Sequence, residues 1–275
     1  DIQSASCLES CLYFQNSINT ITADISLIPD QLTWSGTLPM PIGDGVTIRG
    51  PVISGITSAW WHPNCPLITT NHIGDFSMNP VASLYLFNVE PGGSIEGLRI
   101  RGVDCGVKDF NAPSLLSGGI FIISDPTNNQ LTTISNCEIS CFSQAAIWKA
   151  DRTGQLNMNN NFIHKVRGKS SSGIGYGVWT QGDAVTPEHQ TVNFTNCIFD
   201  DSKCAIDGQG DPITWNILDC TFSQFFSSED INKHNYNEFT LGECPCSNPN
   251  NLPPAAHHFF DYTFSSNGTF YGGYW

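Results

Sequence analysis

A six-residue pattern, apolar–x–Gly/Asn/Asp–x–x–apolar, returns along this chain and restricts what it can fold into. It stands at Ile48-Arg-Gly50-Pro-Val-Ile53, Ile95-Glu-Gly97-Leu-Arg-Ile100, Ile134-Ser-Asn136-Cys-Glu-Ile139 and Met158-Asn-Asn160-Asn-Phe-Ile163. It closes with Phe194-Thr-Asn196-Cys-Ile-Phe199 and Ile217-Leu-Asp219-Cys-Thr-Phe222. The tightest spacings between turn residues are 24 and 23; the others, 47, 39 and 36, call for a loop insertion or an unmarked extra turn. A second motif accompanies the turns: Gly119-Ile-Phe-Ile122, Ala146-Ile-Trp-Lys149, Gly177-Val-Trp-Thr180 and Ala205-Ile-Asp-Gly208. A third strand, such as Gln190–Phe194, precedes the turn. Two or three short strands per unit of about 23 residues describe a coil that stacks on itself. One coil cannot bury its own face; stacking makes a continuous core.

The Asn at the turn has a physical role. Its short polar side chain tolerates the left-handed backbone of a sharp corner, and its amide can pass hydrogen bonds up the stack. Gly50 and Gly97 supply the backbone role alone. With Val46-Thr-Ile-Arg-Gly50, Ile95-Glu-Gly-Leu-Arg-Ile100 and the Asn-Cys turns in place, residues from about 40 to 225 resemble the right-handed parallel β-helix, or pectate-lyase-like, superfamily. The resemblance implies an all-β solenoid. It leaves function open, since the family holds pectin and alginate lyases, polygalacturonases, tailspikes and non-catalytic adhesive proteins. The glycine-aromatic motifs are most similar to the non-enzymatic repeats of secreted and surface β-helix proteins.

Three regions follow. Residues 1–40 are expected to cap the open N-terminal end, with a short amphipathic helix around Cys7, Leu8, Cys11 and Leu12 after Ser4. Residues 41–246 form the β-helix. Residues 247–275 are a Pro/Asn-rich connector and an aromatic segment carrying Phe259, Phe260, Tyr262, Phe264, Phe270, Tyr271, Tyr274 and Trp275. So apolar a tail must pack on its own solenoid or on another copy, which makes a homo-oligomer or filament through this segment an expectation.

Charge narrows the partners. Lys+Arg number 11 against 25 Asp+Glu, a net charge of −14. Nucleic acid needs a basic footprint that this chain lacks. Anionic membrane surfaces and polyanionic substrates are disfavoured as well, unless a divalent cation bridges them. The longest uncharged apolar stretch, Ala82–Val89, is too short for membrane insertion. Eleven cysteines suit an oxidising compartment. The sequons at Asn193 and Asn267 agree with a glycoprotein outside the cell or on its surface. The chain opens at Asp1 without Met or leader, as a processed chain or an excised fragment would. Cys197 and Cys220 hold the same corner 23 residues apart, so stacking brings them within disulfide range. Asn161 separates Cys137 from Cys197.

If Ile120, Ile147, Val178 and Ile206 point inward, the next residues, Phe121, Trp148, Trp179 and Asp207, form an outward column. Three aromatics in a column suit stacking on sugar rings, unless the insertions 164–176 and 181–190 cover them. Just beyond lie Asp125, Asp151, Asp183 and Asp211. Asp151, Asp183, Asp207 and Asp211 are the candidate carboxylates for glycoside hydrolysis, which needs two carboxyl groups about 5–9 Å apart. Such carboxylates can also hold calcium. Otherwise they are ordinary turn residues. Lys149, near Arg152, Lys165, Arg167 and Lys169, is the basic group a calcium-dependent lyase would call on. Asp200-Asp201 is present, but the Gly-His-Gly and Arg-Ile-Lys motifs of polygalacturonases are absent. The histidines show no zinc spacing, so no resident metal or cofactor is expected, calcium aside.

The sequence therefore reads as a secreted structural or adhesive β-helix protein whose partners are carbohydrate or copies of itself. The competing reading is a polysaccharide-degrading enzyme, a glycoside hydrolase or a calcium-dependent polysaccharide lyase, on the same fold.

Overall fold

In a computed structural model the repeat becomes three stacks of short strands. The structure describes residues 1–12, 14–27, 38–51, 65–71, 74–75, 84–103, 115–123, 130–150, 154–166, 175–181, 190–202, 204–209, 213–225, 240–241, 260–262, 268–270 and 273–274. The first sheet runs through Ile18–Thr20, Thr47–Arg49, Ser94–Glu96, Thr132–Ser135, Gln155–Asn159, Gln190–Thr195 and Ile213–Leu218, each parallel to the next. The second runs through Ile25–Leu27, Leu67–Thr70, Arg99–Arg101, Glu138–Ser140, Phe162–His164, Ile198–Ser202 and Cys220–Phe225, also parallel. The third comprises Met40–Ile42, Tyr85–Val89, Gly118–Ile122, Ala145–Ala150, Tyr176–Gln181 and Cys204–Gln209. The chain visits the sheets in turn, which makes it an all-β parallel solenoid. Every turn residue from Gly50 to Asp219 sits between the first and second sheets of consecutive coils. The spacings 39 and 36 are thus single coils lengthened at their other corners, whereas the coil of 47 also carries residues 50–66 at this first corner.

Each sheet sends one apolar column inward. Ile48, Ile95, Ile134, Met158, Phe194 and Ile217 stack in the first; Ile25, Ile68, Ile100, Ile139, Ile163 and Phe199 in the second. Met40, Phe87, Ile120, Ile147, Val178 and Ile206 stack in the third. All belong to one buried cluster. Each such side chain contributes roughly 1.5–3 kcal/mol on leaving water.

From Gly97 on, the first corner is held as the sequence suggests; Gly50 departs from that reading, since its φ is not left-handed. Gly97, Asn136, Asn160, Asn196 and Asp219 have φ of 62°, 54°, 53°, 52° and 52°. Their backbone N–H groups climb the stack, from Gly97 to the Ser135 carbonyl, Asn136 to Asn159, Asn160 to Thr195 and Asn196 to Leu218, at 2.9–3.0 Å. Asn160 Nδ2 also donates to Asn136 Oδ1 at 3.2 Å. A second left-handed column, Cys141, Lys165 and Asp201, with φ of 65°, 57° and 47°, follows the second sheet.

The expected Cys197–Cys220 disulfide is not formed: both thiols are free and buried. They sit one coil apart at the same corner, beside the paired Ile198 and Thr221. Cys197 Sγ lies 3.3 Å from the Met158 carbonyl, and Cys220 Sγ lies 3.4 Å from that of Leu218. Burial pushes the Cys197 thiol well above its ordinary range. Below them Asn161 is fully buried, accepting from Cys137 N at 3.0 Å and donating to the Ile134 carbonyl at 2.8 Å. Cys141 is disulfide-bonded.

The ends differ. Helix Ala5–Cys11 is N-capped by Ser4, whose Oγ accepts from Cys7 N at 3.3 Å. Leu8 and Leu12 enter the core. Strands Ile18–Thr20 and Ile25–Leu27 show that the first coil begins inside residues 1–40. At the other end, Gly268–Phe270 and Phe260–Tyr262 lie antiparallel on the last strands of the first and second sheets. Gly273–Tyr274 pairs with Thr240–Leu241. The C-terminal segment therefore pairs with its own solenoid.

Candidate functional site

The third sheet positions the outward column. Register places Pro41, Asn88, Phe121, Trp148, Trp179 and Asp207 side by side in successive coils. Small residues begin the motif because the far side is crowded. A Cβ on Gly119 would stand 2.5 Å from the Ala146 carbonyl and 3.0 Å from the Phe142 ring; one on Gly177 would meet Ala205 O and Phe199 likewise. At these two positions a larger side chain does not fit without displacing backbone.

That face is a second apolar cluster, separate from the core: Leu84, Tyr85, Ala145, Trp148, Tyr176 and Trp179, with Phe121 and Ala150 packed against it. Trp148 and Trp179 stack with centroids 4.7 Å apart and planes 13° apart. Phe121 meets Trp148 edge-on at 4.8 Å. Tyr85 reaches both Phe121 and Trp148 at 5.6 Å, and Tyr176 meets Trp179 at 5.6 Å. The rings thus use faces on one another, and the tryptophans keep only 8% and 9% of their surface exposed. The sequence left an open platform and covered rings as alternatives; the tryptophans are buried, and the insertions named as their cover lie mostly outside the described residues. Tyr85, Tyr176 and Asn88 were missed in the sequence. Asn88 occupies the outward position one coil before Phe121, and alignment of Leu86-Phe87-Asn88-Val89 with the motif would have found it.

Four polar atoms on this face are buried without a hydrogen-bond partner: Tyr85 Oη, Trp148 Nε1, Trp179 Nε1 and Asn88 Oδ1. Burial pushes the Tyr85 hydroxyl well above the ordinary phenol value, so it stays protonated. Lys149 does not share the face. It alternates with Trp148, is 1% exposed, and stands in register with the buried Ile122 and Thr180. Asp207 continues the column by its backbone position. Asp125, Asp151, Asp183, Asp211 and Asn267 lie outside the described residues. Among the described residues no three His, Cys, Asp or Glu side chains gather as a metal site would require.

Two other outer faces carry polar groups. On the second sheet Arg99 Nε donates to Glu138 Oε2 at 2.7 Å, and His164 Nε2 lies 3.0 Å from Glu138 Oε1. Burial raises the Glu138 carboxyl, but hydrogen bonds and charge from His164 and Arg99 outweigh this, taking it from 4.5 to about 2. A general acid needs its value moved the other way, so this cluster is an ion-pair clamp between coils. On the first sheet Asn193 Nδ2 donates to Asn157 Oδ1 and Asn216 Nδ2 to Asn193 Oδ1, both at 2.6 Å. The sequon Asn193 is therefore half-buried inside an amide ladder.

Fold and faces together define an all-β parallel solenoid with an aromatic outer column on its third sheet. No protein family, no curated protein and no solved structure matches the chain.

Proposed function

We propose that this chain is a secreted structural or adhesive β-helix protein that binds carbohydrate along the outer face of its third sheet. The observation that carries this is the column Asn88–Phe121–Trp148–Trp179. It is an aromatic cluster outside the core whose polar edge atoms have no partner in the chain. A structural solenoid has no need of a second aromatic core bearing orphaned donors, because each such group costs about 1–3 kcal/mol when buried unpaired. The net charge of −14, the cysteine content and the disulfide at Cys141 support an extracellular or cell-surface setting. The test is a glycan array probed with the intact protein. Retention of at least one class of glycan supports the reading; a blank array ends it.

The second reading is a polysaccharide-degrading enzyme. It is favoured by Asp207, whose backbone position continues the column after Trp179. Release of reducing ends, or of unsaturated products absorbing in the ultraviolet, that disappears in Asp207→Asn would establish it. Chemistry unchanged by that substitution would remove it.

A further inference from the structure

We infer that the third-sheet face takes a neutral, polyhydroxylated sugar chain rather than an acidic one, read by Asn88 Oδ1, Tyr85 Oη and the indole Nε1 atoms of Trp148 and Trp179. This rests on the carbohydrate reading above and deepens it. Two of the four unpartnered atoms, the indole nitrogens, can only donate; one, the Asn88 carbonyl oxygen, can only accept; the Tyr85 hydroxyl does either. A sugar hydroxyl is both donor and acceptor and satisfies all four. A carboxylate or sulfate oxygen satisfies the donors but has no proton to offer Asn88, so on an acidic chain only its remaining hydroxyls could do so.

Charge leads to the same conclusion. Among the described residues, those that continue the column in register, Pro41, Asn88 and Asp207, bring no cation. Lys149, the nearest basic residue in sequence, is turned to the other side of the sheet. An anion brought against this face would be stripped of water without a counter-charge, which costs far more than moving a hydroxyl. The protein's own charge of −14 adds long-range repulsion. At one end of the column Asn88 and Phe121 are half-buried rather than buried. Because burial without partners penalises the donors, a state in which they meet hydroxyl oxygens recovers that penalty. Ring faces already spent on one another leave the hydrogen-bonding edges, not stacking, to select the ligand.

The experiment is calorimetric titration of the intact chain with neutral hexasaccharides (cello-, xylo- and mannohexaose) and with hexagalacturonate. Single variants Tyr85→Phe, Trp179→Phe and Asn88→Leu keep the bulk of the column, and Glu96→Gln on the first sheet serves as control. The inference expects binding of a neutral hexasaccharide, a heat too small to fit with hexagalacturonate, and affinity about 5- to 10-fold weaker in each column variant but not in the control. Binding of hexagalacturonate alone overturns the neutral assignment and leaves the carbohydrate reading standing. Neutral binding indifferent to all three column variants overturns the assignment of these atoms. No binding of any glycan, here or on the array, overturns both.

Discussion

Asn160 combines two demands in one side chain. Its backbone sits at φ 53°, and its amide donates to Asn136. Alanine meets neither demand, and glycine meets the first. Asn160→Ala is expected to lower stability by about 1.5–3 kcal/mol, from the left-handed cost and the lost bond together. Asn160→Gly should lose about 1 kcal/mol less, and urea unfolding of the pair measures the difference. Glu138 gives the pH dependence. Its folded value is lowered to about 2 from 4.5, so the stability it lends is complete above the unfolded value and fades as pH falls toward the folded one. The melting temperature of the wild-type chain should therefore drop between about pH 5 and pH 2, by the equivalent of roughly 3 kcal/mol at most. Glu138→Gln should flatten that slope, and an unchanged slope would show that another group carries it. The turn column was legible in the sequence because Asn, Gly and Asp recur at one phase. The corner made by Cys141, Lys165 and Asp201 was not, because three unrelated side chains adopt one backbone state for the sake of the stack. The Cys197–Cys220 pairing was legible as proximity; that the sulfurs would stay thiols was not.

Among the elements, the third-sheet strands show why a motif can be read while its surface cannot. Alternation gave the inward Ile120, Ile147, Val178 and Ile206 and the outward Phe121, Trp148 and Trp179, and the observed register matches position for position. It could not say that the outward rings would stack face to face, because ring orientation depends on neighbours such as Tyr85. That residue lies over Gly118, where a Cβ would run into the phenol ring. Gly118→Ala should displace Tyr85 and cost about 1–3 kcal/mol by overpacking. A loss of near-ultraviolet circular dichroism from the coupled Tyr85–Trp148–Trp179 rings, with the far-ultraviolet strand signal retained, is the expected signature. A native near-ultraviolet spectrum would mean that the tyrosine does not organise the column. Trp148→Ala should cost more, about 3–5 kcal/mol, as a large side chain leaving a packed cluster.

Across the whole molecule the open ends of a solenoid are its weak points, since an unpaired strand edge templates association. Here Leu8 and Leu12 close one end, and the antiparallel strands Phe260–Tyr262 and Gly268–Phe270 cover the other. The sequence showed that the aromatic tail must pack somewhere but not where, as its own strands and a second copy offer similar edges. Deleting residues 255–275 should uncover the last parallel strands and turn a monodisperse chain into a self-associating one by light scattering. If the intact chain associates and the truncated one does not, the tail is instead the contact between copies. The corner between the first and second sheets has another consequence. From Gly97 on it holds Gly97-Leu98, Asn136-Cys137, Asn160-Asn161, Asn196-Cys197 and then Asp219 alone, no more than two residues in any of these coils. All length variation after Gly97 is taken up at the other two corners. That makes the Asn edge a spine and the opposite edges a margin. A foreign peptide spliced after Ala150 would lengthen one loop at an entropic charge of only about 0.6 kcal/mol per doubling, leaving every strand above and below it in step. New surface can therefore be written on this scaffold coil by coil without rewriting the scaffold.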